Sequence, residues 1–132
     1  MTFSQKEVEH FFLSRKGVIH SYVVEDEKTI TDFVSFYSLP SSILKNPDHK
    51  TLEAAYSYYN VTTTNRMPQL MMDVLIRARA LGYDVFNCLD VMDNLPCLEP
   101  LKFSKGDGHL QYYLYNWRTP HLEPKEVAIV LV

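Results

Sequence analysis

Residues 18–39 read VIHSYVVEDEKTITDFVSFYSL, and this stretch decides the fold. The runs 18–24 and 29–39 are dominated by β-branched and aromatic residues, which suit a pleated, half-buried ladder. The polar EDEK between them, residues 25–28, supplies a hairpin connection, so two antiparallel strands are expected. Upstream, Ser4 to Glu7 fits a capping box, and Val8, Phe11 and Phe12 follow at helical spacing. A helix over residues 4–13 is expected, with Gly17 as the breaker before the hairpin. Downstream, Pro40, Ser41, Ser42, Asn46, Pro47 and Asp48 make a loop, because proline fixes φ and small polar side chains satisfy turn backbone.

Residues 51–61 fit two patterns. The alanines of LEAAYSYYN suit a helix, whereas Tyr56, Tyr58, Asn60 and Thr62 alternate with Ser57, Tyr59 and Val61, and the stretch is read as a strand. Pro68 opens a helix whose apolar stripe is Leu70, Val74, Ala78 and Leu81, ending at Gly82. A buried strand over 83–89 follows. Asp93 or Asn94 then caps a short helix reaching Lys102, kinked or split at Pro100, which lacks a donor. An aromatic strand over 110–117 and a last apolar strand over 127–132 (VAIVLV) complete the chain. This order describes one α/β domain over residues 1–132, with a mixed sheet and flanking helices, and without an internal repeat or linker.

The chain has 132 residues, 46% hydrophobic and 22% charged, ordinary values for a globular domain able to bury a core. Net charge is −3 and no basic run occurs, which argues against nucleic acid as a partner. No stretch approaches eighteen apolar residues, so no membrane span is expected. The polar, amphipathic start is unlike a signal peptide, and the expected location is cytoplasmic. Cys88 and Cys97 do not have metal or redox spacing and are read as free, mostly buried thiols. The histidines at 10, 20, 49, 109 and 121 are scattered, so no metal site is expected.

Residues 102–117, KFSKGDGHLQYYLYNW, hold the most unusual local chemistry. Gly106 and Gly108 flank Asp107, so the backbone could take φ > 0 on both sides of a carboxylate and approach a ligand closely. KFSKGDG resembles the KFGxGDG signature of the eukaryotic glycylpeptide N-tetradecanoyltransferases, the N-myristoyltransferases, with Ser104 where that family has glycine. TDFVSFYSLPSSI (31–43), AAYSYYNV (54–61) and GYDVFNCLDVMDN (82–94) resemble the same family in the same order. The resemblance implies part of an acyl-CoA N-acyltransferase (GNAT-like) fold, covering the later part of the family's second half. The half that supplies the CoA site and oxyanion hole has no counterpart in these residues.

That resemblance also implies a set of site residues. The α-carboxylate of Val132 would be the catalytic base that takes a proton from the substrate's glycine amine. Ser41, Tyr56, Asn87, Gly106, Asp107, Gly108, Leu110 and Leu131 would line the groove for the substrate peptide. Read without the family, Asp107 is a turn aspartate bonding its own backbone, Tyr56 is core and Asn87 caps a buried strand. The apolar run before Val132 would then be an edge strand.

Three functions are compatible with these readings. The first is transfer of a tetradecanoyl group from myristoyl-CoA, a co-substrate of the complete enzyme, to proteins with N-terminal glycine. In that reading this part binds no cofactor of its own and is completed by a missing N-terminal half or by self-association. The second is a non-catalytic module binding peptides or a partner. The third, a complete small acetyltransferase, lacks its phosphate loop, since Arg79 to Gly82 ends a helix where such a loop must open one.

Overall fold

The hairpin turn is tighter than four residues. Glu27 and Lys28 both take positive φ, 44° and 69°, the two-residue geometry that matches the twist of antiparallel strands. Glu25 and Asp26 therefore extend β1 (Ile19–Asp26), which pairs antiparallel with β2 (Thr29–Ser38). In this computed structural model, residues 2–64, 66–109 and 113–123 are described. Helix α1 (Gln5–Phe12) precedes the hairpin, and Ser4 and Glu7 exchange the two hydrogen bonds of the expected capping box.

After β2, the expected loop contains a small ladder, β3 (Ser41–Ser42) against β4 (Thr51–Leu52). Strand β5 (Ala54–Thr62) then returns beside β2, α2 (Met67–Ala80) crosses over, and β6 (Val85–Asn87) pairs parallel to β5. The sheet order is β1-β2-β5-β6, mixed as expected. The strand read over 83–89 is only three residues long and half-exposed, because it lies at the sheet edge. Leu81 is likewise exposed, since it caps the C-terminus of α2 while Leu70, Met71, Val74 and Ala78 face the sheet.

Helix α3 (Leu95–Leu98) stops two residues before Pro100, and Lys102 takes φ 59°, so the proline limits the helix and does not kink it. Residues 113–117 form no strand. Asn116 sits at φ 59° and Tyr113, Tyr115 and Trp117 stand exposed, away from any ladder partner. The expected strand over 127–132 lies outside the described residues.

Each face of the sheet has its own cover. On one, α2 packs Met67, Leu70, Met71, Val74 and Ala78 onto Val34, Phe36 and Ala55, with Cys97 from α3. On the other, Phe12 of α1 meets Ile19 and Tyr58, with Phe3, Phe33, Tyr37 and Tyr59 around them.

An extra residue in β5 departs from the expected alternation. The β2–β5 register slips between Val34 and Phe36, so Tyr58 and Tyr59 together oppose Ser35. Both tyrosines then reach Phe12, at 5.6 and 5.3 Å between ring centroids. Ser35 Oγ donates to the Tyr59 carbonyl and accepts from the Tyr59 amide, each at 3.0 Å. Asn60, turned to the α2 side, donates to Ser57 at 2.8 Å and to Asn94 at 3.1 Å. Asn94 donates in turn to the Leu89 carbonyl at 3.1 Å, tying the segment after β6 to the sheet.

Buried Asp32 accepts from the hydroxyls of Thr62, Thr31 and Thr64 and faces Arg66 at 3.4 Å. The Thr62 hydrogen bond leads in lowering its pKa to about 2, against the opposing effect of burial, and the other two threonines and Arg66 add to it. Arg66 is more than half exposed, so its pairing is screened.

Substitutions at three of these buried groups test their roles. Ser35→Ala leaves the Tyr59 amide and carbonyl without their partner and lowers stability by about 1–3 kcal/mol in urea unfolding. Ser21→Ala, which removes a buried hydroxyl with no partner among the described residues, leaves stability unchanged or raised. Because the folded-state pKa of Asp32 lies below its ordinary value of about 3.9, its contribution is full above about pH 4 and is lost as pH falls toward 2. The stability gap between the native protein and Asp32→Asn should therefore shrink over that window, and a constant gap would contradict the assignment.

Candidate functional site

Strand registers bring together residues far apart in the chain. Ile19 pairs with Tyr37, Tyr37 with Tyr56, and Tyr56 with Asn87, forming one row across all four strands. Side chains on one rung share a face, and Phe86, next to Asn87, packs on Phe36 at 5.6 Å on the α2 side. Asn87 therefore stands on the opposite face, with Tyr56 and Tyr37. The row runs from buried Ile19 to half-buried tyrosines and an amide.

Tyr37 and Tyr56 stack at 5.4 Å between centroids with 17° between ring planes, and Tyr58 meets Tyr37 edge-on at 5.7 Å. Burial pushes the Tyr37 phenol above its ordinary pKa, and the neighbouring Tyr56 adds to the shift. The Tyr37 phenol is thus held as a neutral donor. Ser41 is exposed on its rung with Leu52, four residues beyond Tyr37 and so at most about 14 Å away along the chain.

The glycine turn attaches through Phe103, which packs on the core and meets the Phe86 ring at 6.3 Å. Gly106 lies three residues on, within at most about 11 Å of that anchor. Gly106, Asp107 and Gly108 are exposed. Neither glycine uses the positive φ open to it; the described glycines that do are Gly17 and Gly82. Nothing lies within 4 Å of a Cβ built on Gly106 or Gly108, so no neighbour forces the left-handed conformation. Leu110, Leu131 and Val132 lie outside the described residues.

The structure thus unites Tyr56 with Asn87 and leaves Ser41 and the glycine turn at the margins. Tyr37 was not apparent as a site residue from sequence. Its signal was the period-two pattern of residues 29–39, which places Phe33 and Tyr37 on one face once the hairpin register is known. Other reactive groups are unsuited to nucleophilic chemistry. Burial raises both thiols: Cys88 is affected further by Cys97 and Asp90 with Ser57 opposing, and Cys97 by Asp93. Both cysteines are free, as expected, and no metal-holding group of His, Cys, Asp and Glu occurs among the described residues. No helix among those residues is long and apolar enough to cross a membrane.

A family model described as "Myristoyl-CoA:protein N-myristoyltransferase, C-terminal domain" matches residues 1–130. The chain belongs to that family. It is 52% identical to the glycylpeptide N-tetradecanoyltransferase of Drosophila melanogaster, an alignment covering 98% of this chain and 28% of the fly protein. The crystal structure of Saccharomyces cerevisiae N-myristoyltransferase with bound myristoyl-CoA superposes with a TM-score of 0.76. There the identity is 38%, over 80% of this chain and 31% of the yeast chain. An acetyltransferase structure from Clostridium acetobutylicum, 15% identical, aligns over 73% of this chain and 64% of its own with a TM-score of 0.57, a likeness of fold alone. The GNAT-like sheet is thus borne out, and the N-myristoyltransferase domain here spans less than a third of either relative.

Since neither Gly106 nor Gly108 has positive φ or a crowded Cβ position, Gly106→Ala and Gly108→Ala should each change stability by less than about 0.5 kcal/mol. A thermal shift of many degrees in either variant would show that the turn carries a strain not seen here.

Proposed function

We propose that this chain is the glycylpeptide-holding part of an N-myristoyltransferase, acting in transfer of a tetradecanoyl group from myristoyl-CoA to the N-terminal glycine amine of proteins. The observation that carries this reading is the family match over residues 1–130. The row of Tyr37, Tyr56 and Asn87 supports it. It combines aromatic faces with neutral hydrogen-bonding groups, suited to an extended peptide whose backbone amides need partners and whose amine must stay reactive. Ser41 and the turn of Gly106, Asp107 and Gly108 flank the row, and Leu110 and Leu131 would complete its apolar lining.

The glycine amine has an ordinary pKa of about 8 and must lose a proton before it can attack. We assign that proton to the α-carboxylate of Val132. The amine nitrogen then forms a bond to the thioester carbonyl carbon, the carbon–sulfur bond breaks, and its electron pair leaves on the CoA sulfur, which takes up a proton. An ordinary terminal carboxyl near pKa 3.5 is mismatched by about 4.5 units, roughly 6 kcal/mol. Burial, which the apolar residues 127–131 favour, raises a carboxyl pKa and narrows that gap. Donors to the thioester oxygen and the CoA site would come from polypeptide outside these 132 residues, supplied in one longer chain or by a partner. No covalent enzyme intermediate is needed, because the nucleophile belongs to the substrate.

A second reading, a module that binds glycine peptides without turnover, takes the row of Tyr37, Tyr56 and Asn87 as a binding surface alone. Mass-spectrometric turnover with myristoyl-CoA, a glycine peptide and its N-acetylated control separates the two. Joined to the remaining portion of the fly relative, the chain should acylate the free amine and not the acetylated one. Two residues appended after Val132 should cut kcat by about 10² to 10⁴-fold while leaving peptide affinity within a few-fold. Full activity in the extended protein would remove Val132 as the base, and peptide binding without turnover in the joined protein would favour the non-catalytic module.

A further inference from the structure

Tyr56 is held by only one side of its surroundings. Among the described residues, neither its hydroxyl nor that of Tyr37 has a hydrogen-bond partner, so no polar contact fixes the Tyr56 ring. What fixes it is Tyr37, stacked against it at 5.4 Å with 17° between planes. Tyr37 is itself braced. Its own ring meets Tyr58 edge-on at 5.7 Å, Tyr58 is 4% exposed, and Tyr58 rests on Phe12 at 5.6 Å. Ile19, buried to 3%, closes the row on the β1 side. On its other side, among the described residues, the strand register places Asn87 beside Tyr56, at the sheet edge.

This arrangement is directional. Order passes from α1 through Phe12, Tyr58 and Tyr37 to Tyr56, where it ends at a half-buried phenol with no hydrogen-bond partner among the described residues. A face-to-face stack constrains both tilt and translation of a ring, and a branched aliphatic side chain in place of Tyr37 would constrain neither. We infer that Tyr37 is a positioning residue of the peptide site, holding the Tyr56 ring in the orientation that presents its hydroxyl to the bound peptide; this rests on the peptide-binding reading above. Tyr37 acts through Tyr56 and needs no contact of its own with the ligand. The stacking ring matters and the Tyr37 hydroxyl does not.

The test has two arms. In the first, the ring-proton shifts of Tyr56 are measured by NMR in the ligand-free 132-residue protein. The ring current of the stacked partner should persist in Tyr37→Phe and vanish in Tyr37→Leu; equal spectra in all three would overturn the stack as the holding contact, whatever the site binds. In the second arm, the affinity of a fluorescent peptide with N-terminal glycine is measured in a double-mutant cycle with Tyr56→Leu. Tyr37→Leu should weaken binding about three- to tenfold, Tyr37→Phe less than twofold, and Tyr37→Leu should add no further loss once Tyr56 is leucine. Additive losses, or an unchanged affinity in Tyr37→Leu, would overturn the inference. Wild-type affinity in Tyr56→Leu would instead overturn the peptide-site reading itself, with the first arm still reporting on the stack. Should Tyr37→Leu unfold, Tyr37→Met, which keeps bulk against Tyr58, takes its place in both arms with the same expected outcomes.

Discussion

The two hydrogen bonds that Ser35 exchanges with the Tyr59 backbone hold the extra residue of β5 in place, and much of the architecture depends on that residue. A period-two strand would send Tyr58 and Tyr59 to opposite faces. The bulge turns both to α1, where they build the wall behind Tyr37, and it turns Asn60 to the opposite side. There Asn60 finds Ser57 and Asn94, and through Asn94 it secures the connection from β6 to α3. A buried amide left without partners would oppose folding by an amount comparable to a whole core methyl contact, so the bulge persists only because the network around it is filled.

The buried titratable groups away from the tyrosine row belong to structure. Asp32 is stabilised as a carboxylate by three threonine hydroxyls, which makes it a poor base. His20 stacks on Phe36 at 4.9 Å and shares a hydrogen bond of 3.2 Å with the Tyr83 hydroxyl, and burial lowers its pKa, favouring the neutral ring. Both thiols are pushed away from ionisation. Among the described residues these buried acids and bases are thus committed to the fold.

Elements whose signal is local were legible from sequence. The capping box of Ser4 and Glu7, the hairpin, and the start of α2 near Pro68 each follow from a few neighbouring residues. What failed depends on partners elsewhere in the chain. The alternation through Tyr56 to Thr62 breaks at a bulge that only Ser35 on another strand explains, and the short β6 follows from its place at the sheet edge. At the site, Tyr56 and Asn87 were named by family resemblance, and their adjacency came from the parallel register of β5 and β6. For Gly106 and Gly108 the sequence shows only what is permitted, since glycine allows positive φ without requiring it, and neither residue adopts it.

The two faces of the sheet are covered by helices of different length. Helix α1 has eight residues, about 12 Å at 1.5 Å per residue, whereas β2 has ten, about 33 Å at 3.3 Å per residue. Phe12, at the end of that helix, meets Phe33, Tyr58 and Tyr59, and the cluster around it also takes in Ile19 and Tyr37. On the opposite face α2, with fourteen residues and about 21 Å, reaches the centre of the sheet, and Phe36, Ala55 and Val74 are buried to 1% exposure or less. Beside that packed centre a groove between α2 and the hairpin stays open, lined by Tyr22, Val24, Val34, Leu70, Val74 and Arg77. The β1 edge is obstructed: the Ser14 hydroxyl and the Arg15 backbone occupy the outward hydrogen-bonding groups of Ile19 and Ser21, which blocks strand addition along that stretch. Phe103 anchors the segment before the glycine turn against Phe86, on the α2 face and so across the sheet from the row of Tyr37, Tyr56 and Asn87. Helix α1, bounded by a capping box at Ser4 and a chain that turns extended at Leu13, covers the other face chiefly through Phe12, and among the described residues Tyr37, Tyr56 and Asn87 stay half-buried there.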